Sequence, residues 1–175
     1  MNSTASRLRA IAVTALFFAA SAFALLGAVW GLDALPFVLP GFGGLADYAP
    51  GATLAGITQA PVFIALSAAY LIAGAIVVLI DTQYCDRMLA IFADVLLMAI
   101  AAAVGFAAGY WIMLRLLGTA GGFDFIALRP IGICALIVFI LSLIPPDRLR
   151  GNLLVRGLTA IVLLLAGPLL ILNLG

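Results

Sequence analysis

Asp94 is the residue best placed to do chemistry in this chain. It is the single charge between Arg87 and Arg115 in the otherwise apolar run RMLAIFADVLLMAIAAAVGFAAGYWIMLR. A carboxylate in such a run has two uses: it pairs with an arginine to tie helices together, or it takes up a proton or cation. The rise of ~1.5 Å per residue puts it roughly 8–11 Å from the cytoplasmic end of its helix. Arg87 and the arginines of the 147–156 turn are therefore in reach, and a structural ion pair is the first expectation. An ion site is the alternative. A proton relay would call for a second intramembrane acid or a histidine, and the sequence has no His.

Arg115, Asp124 and Arg129 make a second charged group around the Gly-rich turn GTAGGFDFIALR. Snorkelling or a local Arg–Asp pair accounts for them. The sharper reading gives Arg115 and Arg129 a contact with lipid phosphate or an anionic solute. The lack of histidine removes the commonest metal and haem ligand and the usual general base. Cys85, in a short loop, and Cys134, inside an apolar span, read as incidental thiols rather than a disulfide or metal pair. Neither a nucleophile–base pair, a phosphate loop nor a dinucleotide fingerprint is legible. The expectation is a protein that is not an enzyme and carries no cofactor or metal of its own.

The elements that position these residues follow from composition. The chain is 67% apolar and 9% charged, against about 45–50% and about 25% in soluble domains. Mean hydropathy is +1.35. This is an all-α, polytopic integral membrane protein, a single helical bundle over residues 1–175. A net charge of +1 offers no basic face for a nucleic acid. About five transmembrane helices are expected, over residues 10–32, 61–80, 88–114, 127–144 and 157–174, with a long outer loop at 33–60. A cleaved signal peptide is the rival reading of the first span, through Ala22-Phe23-Ala24, but the apolar run continues to Trp30.

Helical spacing sets Asp94, Ala101, Gly105 and Gly109 on one stripe of the third span, with Arg87 almost in line two turns earlier. A front of small residues is a packing face. The opposite side, with Phe92, Val95, Leu96, Ala99, Phe106 and Met113, is expected to face lipid. Similar small-residue repeats mark Ala20/Ala24/Ala28 in the first span and Ala65/Ala69/Ala73 in the second. In the last span Pro168, after Gly167, removes one backbone hydrogen bond and should kink the helix where it packs.

The 33–60 loop is dense in Gly and Pro yet greasy, with Leu35, Phe37, Val38, Leu39 and Phe42 close together. Three placements remain open: in the headgroup layer, re-entrant against a cavity, or covered by a partner chain. Orientation follows from arginine placement. With the N-terminus inside, Arg7, Arg9, Arg87, Arg148, Arg150 and Arg156 are cytoplasmic, and only Arg115 and Arg129 lie outside. Five spans then run N-in to C-out. Trp30, Tyr110 and Trp111 fall near the outer boundary and Tyr84 near the inner one.

This order of parts resembles the small membrane subunit (TctB type) of tripartite tricarboxylate transporters. In that family a first helix, a Gly/Pro-bearing outer loop, a second helix and a charged turn precede three more hydrophobic segments. The turn GTAGGF at 118–123 is similar to the family's Leu-Gly-Phe turn, and the Arg148–Arg156 turn resembles its charged link to the final segment. The likeness covers most of the chain, in layout. The Pro-Gly-Pro-like element has a loose counterpart in Pro40-Gly41-Phe42, and the closing Leu-Pro is replaced by Leu172-Asn173-Leu174-Gly175.

The resemblance implies a non-catalytic partner of a large permease in carboxylate uptake, in a bacterial cytoplasmic (inner) membrane. The expected partners are larger integral membrane subunits and lipids. The alternative class is a structural subunit of a respiratory or photosynthetic complex, touching pigments or quinone held by its partners.

Overall fold

The structure is a computed structural model. It describes residues 4–35, 56, 61–80, 82–118, 125–145, 148 and 152–174, with backbone alone at 125–127. Most of the greasy 33–60 loop, together with Asp124 and Arg150, lies outside the described residues. The described chain is all-helical: α1 (Thr4–Asp33), α2 (Pro61–Leu79), α3 (Gln83–Leu116), α4 (Phe125–Ser142) and α5 (Leu153–Leu174). Four of these, α1, α2, α3 and α5, are long and apolar enough to cross a membrane, while the described apolar run of α4, Leu128–Ser142, is shorter. At about 1.5 Å per residue the 34 residues of α3 extend about 50 Å, well beyond a hydrocarbon core of ~30 Å.

Local chemistry sets the helix ends. The Cys85 amide donates to Thr82 Oγ1 at 3.4 Å, so Thr82 caps the start of α3, with Asp86 in the first turn. The Val155 amide donates to Asn152 Oδ1 at 2.9 Å at the start of α5. α3 ends at Gly118, whose φ of 72° belongs to the left-handed region and whose amide returns to the Arg115 carbonyl. Within the helices Ser21 Oγ donates to the Phe17 carbonyl, Ser142 Oγ to Phe139 and Asn173 Nδ2 to Leu169. Such bonds let a polar side chain sit in an apolar helix with its hydrogen satisfied.

The chain divides into two compact units, one of Met1–Gln59 with Ala101–Ala127 and one of Ala60–Ile100 with Leu128–Gly175. In the first, α1 lies parallel to the second half of α3. Their backbones come close enough that a Cβ built on Gly105 would sit 2.7 Å from the Ala15 carbonyl carbon, and one on Gly109 2.7 Å from Ala19 Cα. Beyond this crossing the seam widens to admit Ala22, Leu26, Tyr110, Met113 and Leu114. Phe106 stacks on Tyr110, the ring centroids 6.0 Å apart.

The second unit is built on α2 and α5, which run antiparallel. Ile64, Ala68, Leu71, Ala75 and Val78 of α2 meet Leu163 and Leu170 of α5, and Cys134 of α4 completes the cluster. A Cβ on Gly167 would lie 3.1 Å from the Ala68 carbonyl oxygen, whereas one on Gly74 would make an ordinary 3.6 Å contact with Leu163. Tyr70 meets Phe92 edge-on at 5.8 Å.

Several expected faces are corrected. Ala20, Ala24 and Ala28 are exposed, and α1 instead presents Ala15, Ala19, Ala22 and Leu26 to α3. Ala65 and Ala69 are exposed as well, because the buried stripe of α2 runs instead through Ile64, Ala68, Leu71, Ala75 and Val78. Leu96 and Met113, assigned to the lipid side of α3, are buried, while Val95 and Ala99 are exposed. The physical reason is shared. Helices that are apolar all round carry no polar face to orient them, and alanine repeats on several faces at once.

Candidate functional site

Asp94 is half-buried on the first half of α3 and is engaged by a neighbouring group. Arg87, two turns earlier, is exposed. Of the arginines in the 147–156 turn, Arg148 is exposed, and Arg156 lies partly buried in the first turn of α5. Arg156 donates from its guanidinium to the carbonyl oxygen of Leu79, the last residue of α2.

That contact was invisible in the sequence, because it needs α2 and α5 side by side. Its energetics are nonetheless simple. A cation in the first turn of its own helix is opposed by the helix dipole by a few tenths of a kcal/mol to about 1. At the C-terminal end of α2 the dipole favours it, and a charged donor on an orphan carbonyl contributes about 1.5–3 kcal/mol. The cap wins.

Ala101, Gly105 and Gly109 are all buried in the first unit, the two glycines against the α1 backbone. Pro168 is exposed and lies within a helix that continues to Leu174, while its neighbour Gly167 makes the close approach to α2. Arg115 is exposed, its guanidinium carbon 5.9 Å from the centre of the Trp111 ring one turn back. At this distance the ring face attracts the cation and holds it at the end of α3. Arg129 is exposed near the start of α4.

One polar pair was missed. Ser67 of α2 is fully buried, and its Oγ makes no hydrogen bond of normal geometry. The polar group facing it is the thiol of Cys134 on α4. A weak sulfur partner for a buried hydroxyl leaves part of its desolvation cost uncompensated. The pair registers α2 against α4 inside an otherwise apolar core.

The second unit has one small cleft of about 30 Å³ among Tyr70, Leu71, Gly74, Leu89, Leu141 and Leu163. That is room for about one water. Two larger hollows, about 360 Å³ along α2 and α3 and about 280 Å³ along α2 and α5, are open-sided and lined by apolar residues. No group of three His, Cys, Asp or Glu side chains gathers among the described residues. In chemical terms these helices pack on one another and leave apolar hollows between them.

Comparison with known proteins finds no matching protein family, no matching curated protein and no matching solved structure.

Proposed function

We propose that this chain is a small, non-catalytic integral membrane subunit of a larger assembly, the accessory subunit of a carboxylate transporter. The observation that carries this reading is how little of α1 and α5 the chain itself covers. Only 11% of the apolar window of α1 and 22% of that of α5 are buried. Leu16, Phe17, Leu153 and Leu172 are exposed by 70%, 65%, 88% and 80%. Part of such surface faces lipid, and the rest is suited to packing against a larger subunit. The layout of spans and turns supports a permease as that partner. The direct test is uptake of radiolabelled citrate by cells with and without the chain. Uptake should fall to background when it is missing and return on re-expression, and unchanged uptake would refute the assignment.

The same reading has five spans, N-terminus cytoplasmic and C-terminus outside, in a bacterial inner membrane. The arginine distribution supports it, as does the antiparallel run of α2 and α5 within their unit, expected when two crossings, α3 and α4, lie between them. Thr4→Cys, in a background lacking Cys85 and Cys134, should react with an impermeant maleimide only after the membrane is opened. Labelling of intact cells would reverse the orientation.

A further inference from the structure

The hollow along α2 and α5 has features that the subunit reading does not use. Its floor is made of small residues, Ala75, Gly157 and Ala160, and its walls of Ile76, Leu79, Ile161 and Leu164. The four wall residues are 49%, 53%, 59% and 50% exposed, so the groove opens outward along its length. From Gly157 to Leu164 it follows α5 for about 10 Å. A Cβ at Gly157 would meet nothing within 4 Å, so the groove is open at this end as well.

The charge lies at that end. Arg156 is next to Gly157, and its guanidinium is anchored on the carbonyl of the wall residue Leu79. One contact occupies part of a fork that carries five N–H donors. The first turn of α5 adds the positive end of a helix dipole at the same level, and Arg148 is exposed on the preceding connection.

We propose that this groove seats an acyl chain of an anionic phospholipid, with its phosphate held by Arg156 at the mouth. Charge complementarity selects this occupant. An apolar trough ending in a fixed guanidinium and a helix N-terminus matches a molecule with a long apolar tail and an anionic head. A second open hollow, lined by Ala73, Val77, Tyr84, Cys85, Met88, Leu89 and Phe92, makes the contrast. Helical spacing turns Arg87 well away from the side of α3 that lines it. It has the trough without the anchored cation.

Native mass spectrometry of the delipidated chain in detergent tests this. The chain is titrated with phosphatidylglycerol, with phosphatidylcholine of the same acyl chains, and with glycerol phosphate alone. Wild type should bind one phosphatidylglycerol at least about tenfold more tightly than phosphatidylcholine, and glycerol phosphate should not compete. Arg156→Gln should remove the preference for phosphatidylglycerol. Gly157→Leu, at a position where an added Cβ meets nothing within 4 Å, fills the open end and should weaken binding of both lipids while leaving the lipid-free chain at least as thermally stable as wild type. Equal affinity for the two lipids, a preference that survives Arg156→Gln, or binding untouched by Gly157→Leu would each overturn the proposal. Competition by glycerol phosphate would do the same, since it would make the site a free-phosphate site. An absence of tight lipid binding would overturn it too and leave the groove to a helix of a partner subunit.

Discussion

Gly109→Leu should cost the first unit about 3 kcal/mol, the upper end of overpacking penalties. The reason is the identity of the atoms it would meet. A Cβ at Gly109 would lie 2.6 Å from the Ala19 carbonyl carbon and 2.7 Å from its Cα, and one at Gly105 stands in the same relation to Ala15. These are backbone atoms of α1, which have no rotamer to change; the helix must retreat as a whole. Retreat opens the contacts of Ala22 and Leu26 with Tyr110, Met113 and Leu114.

The pairing of Gly105 and Gly109 with Ala15 and Ala19 is the small-xxx-small arrangement by which helices in membranes approach closely. Close approach also brings Cα–H groups near facing carbonyls, a weak attraction that a leucine would abolish. Gly31→Leu is the control, since a Cβ there meets nothing within 4 Å, and it should change stability by less than about 0.5 kcal/mol. Unfolding followed in detergent should rank Gly109→Leu well below Gly31→Leu. Equal stabilities would mean that α1 does not pack on this stripe.

Asp94→Ala should lower stability by less than the ~3–5 kcal/mol for breaking a fully buried pair, because Asp94 is only half-buried and Arg87 is exposed. The expected role is an ion pair with Arg87 or with an arginine of the 147–156 turn, holding the cytoplasmic ends of its unit together. Arg156 gives one of its five donors to the Leu79 carbonyl, and Arg87, two turns earlier on the same helix, is the partner to test first. Reversing the charges in an Asp94→Arg/Arg87→Asp double variant should recover part of the loss if Arg87 is the partner. Asp94→Asn separates the structural role from an ion site, because it keeps the shape and removes the charge. If that variant folds to wild-type yield and stability but loses a cation- or proton-linked uptake, Asp94 is a working site and the structural account fails.

What the sequence made legible is what depends on one helix at a time. The apolar runs marked five spans, of which four are long enough to cross a membrane, and the four-residue spacing of Gly105 and Gly109 marked a packing face of α3, the one on which α1 lies. What it hid depends on two helices meeting. α1 is alanine-rich on several faces, so the spacing of Ala20, Ala24 and Ala28 was as regular as that of Ala15 and Ala19, and only the partner backbone distinguishes them. In α2 the contact stripe runs through Ile64, Ala68, Leu71, Ala75 and Val78, one residue out of register with Ala65, Ala69 and Ala73, and only the partner helix distinguishes the two. Arg156 on the Leu79 carbonyl and Ser67 against Cys134 join residues far apart in the chain, and neither carries a local signal.

The central claim is that this chain works as part of a larger membrane assembly, and purification from native membranes in a mild detergent tests it most directly. A tagged chain should elute with a much larger polytopic permease subunit in fixed stoichiometry, and the pair should survive a second, orthogonal purification step. A chain that elutes alone, or with haem- or pigment-bearing subunits in place of a permease, would contradict it.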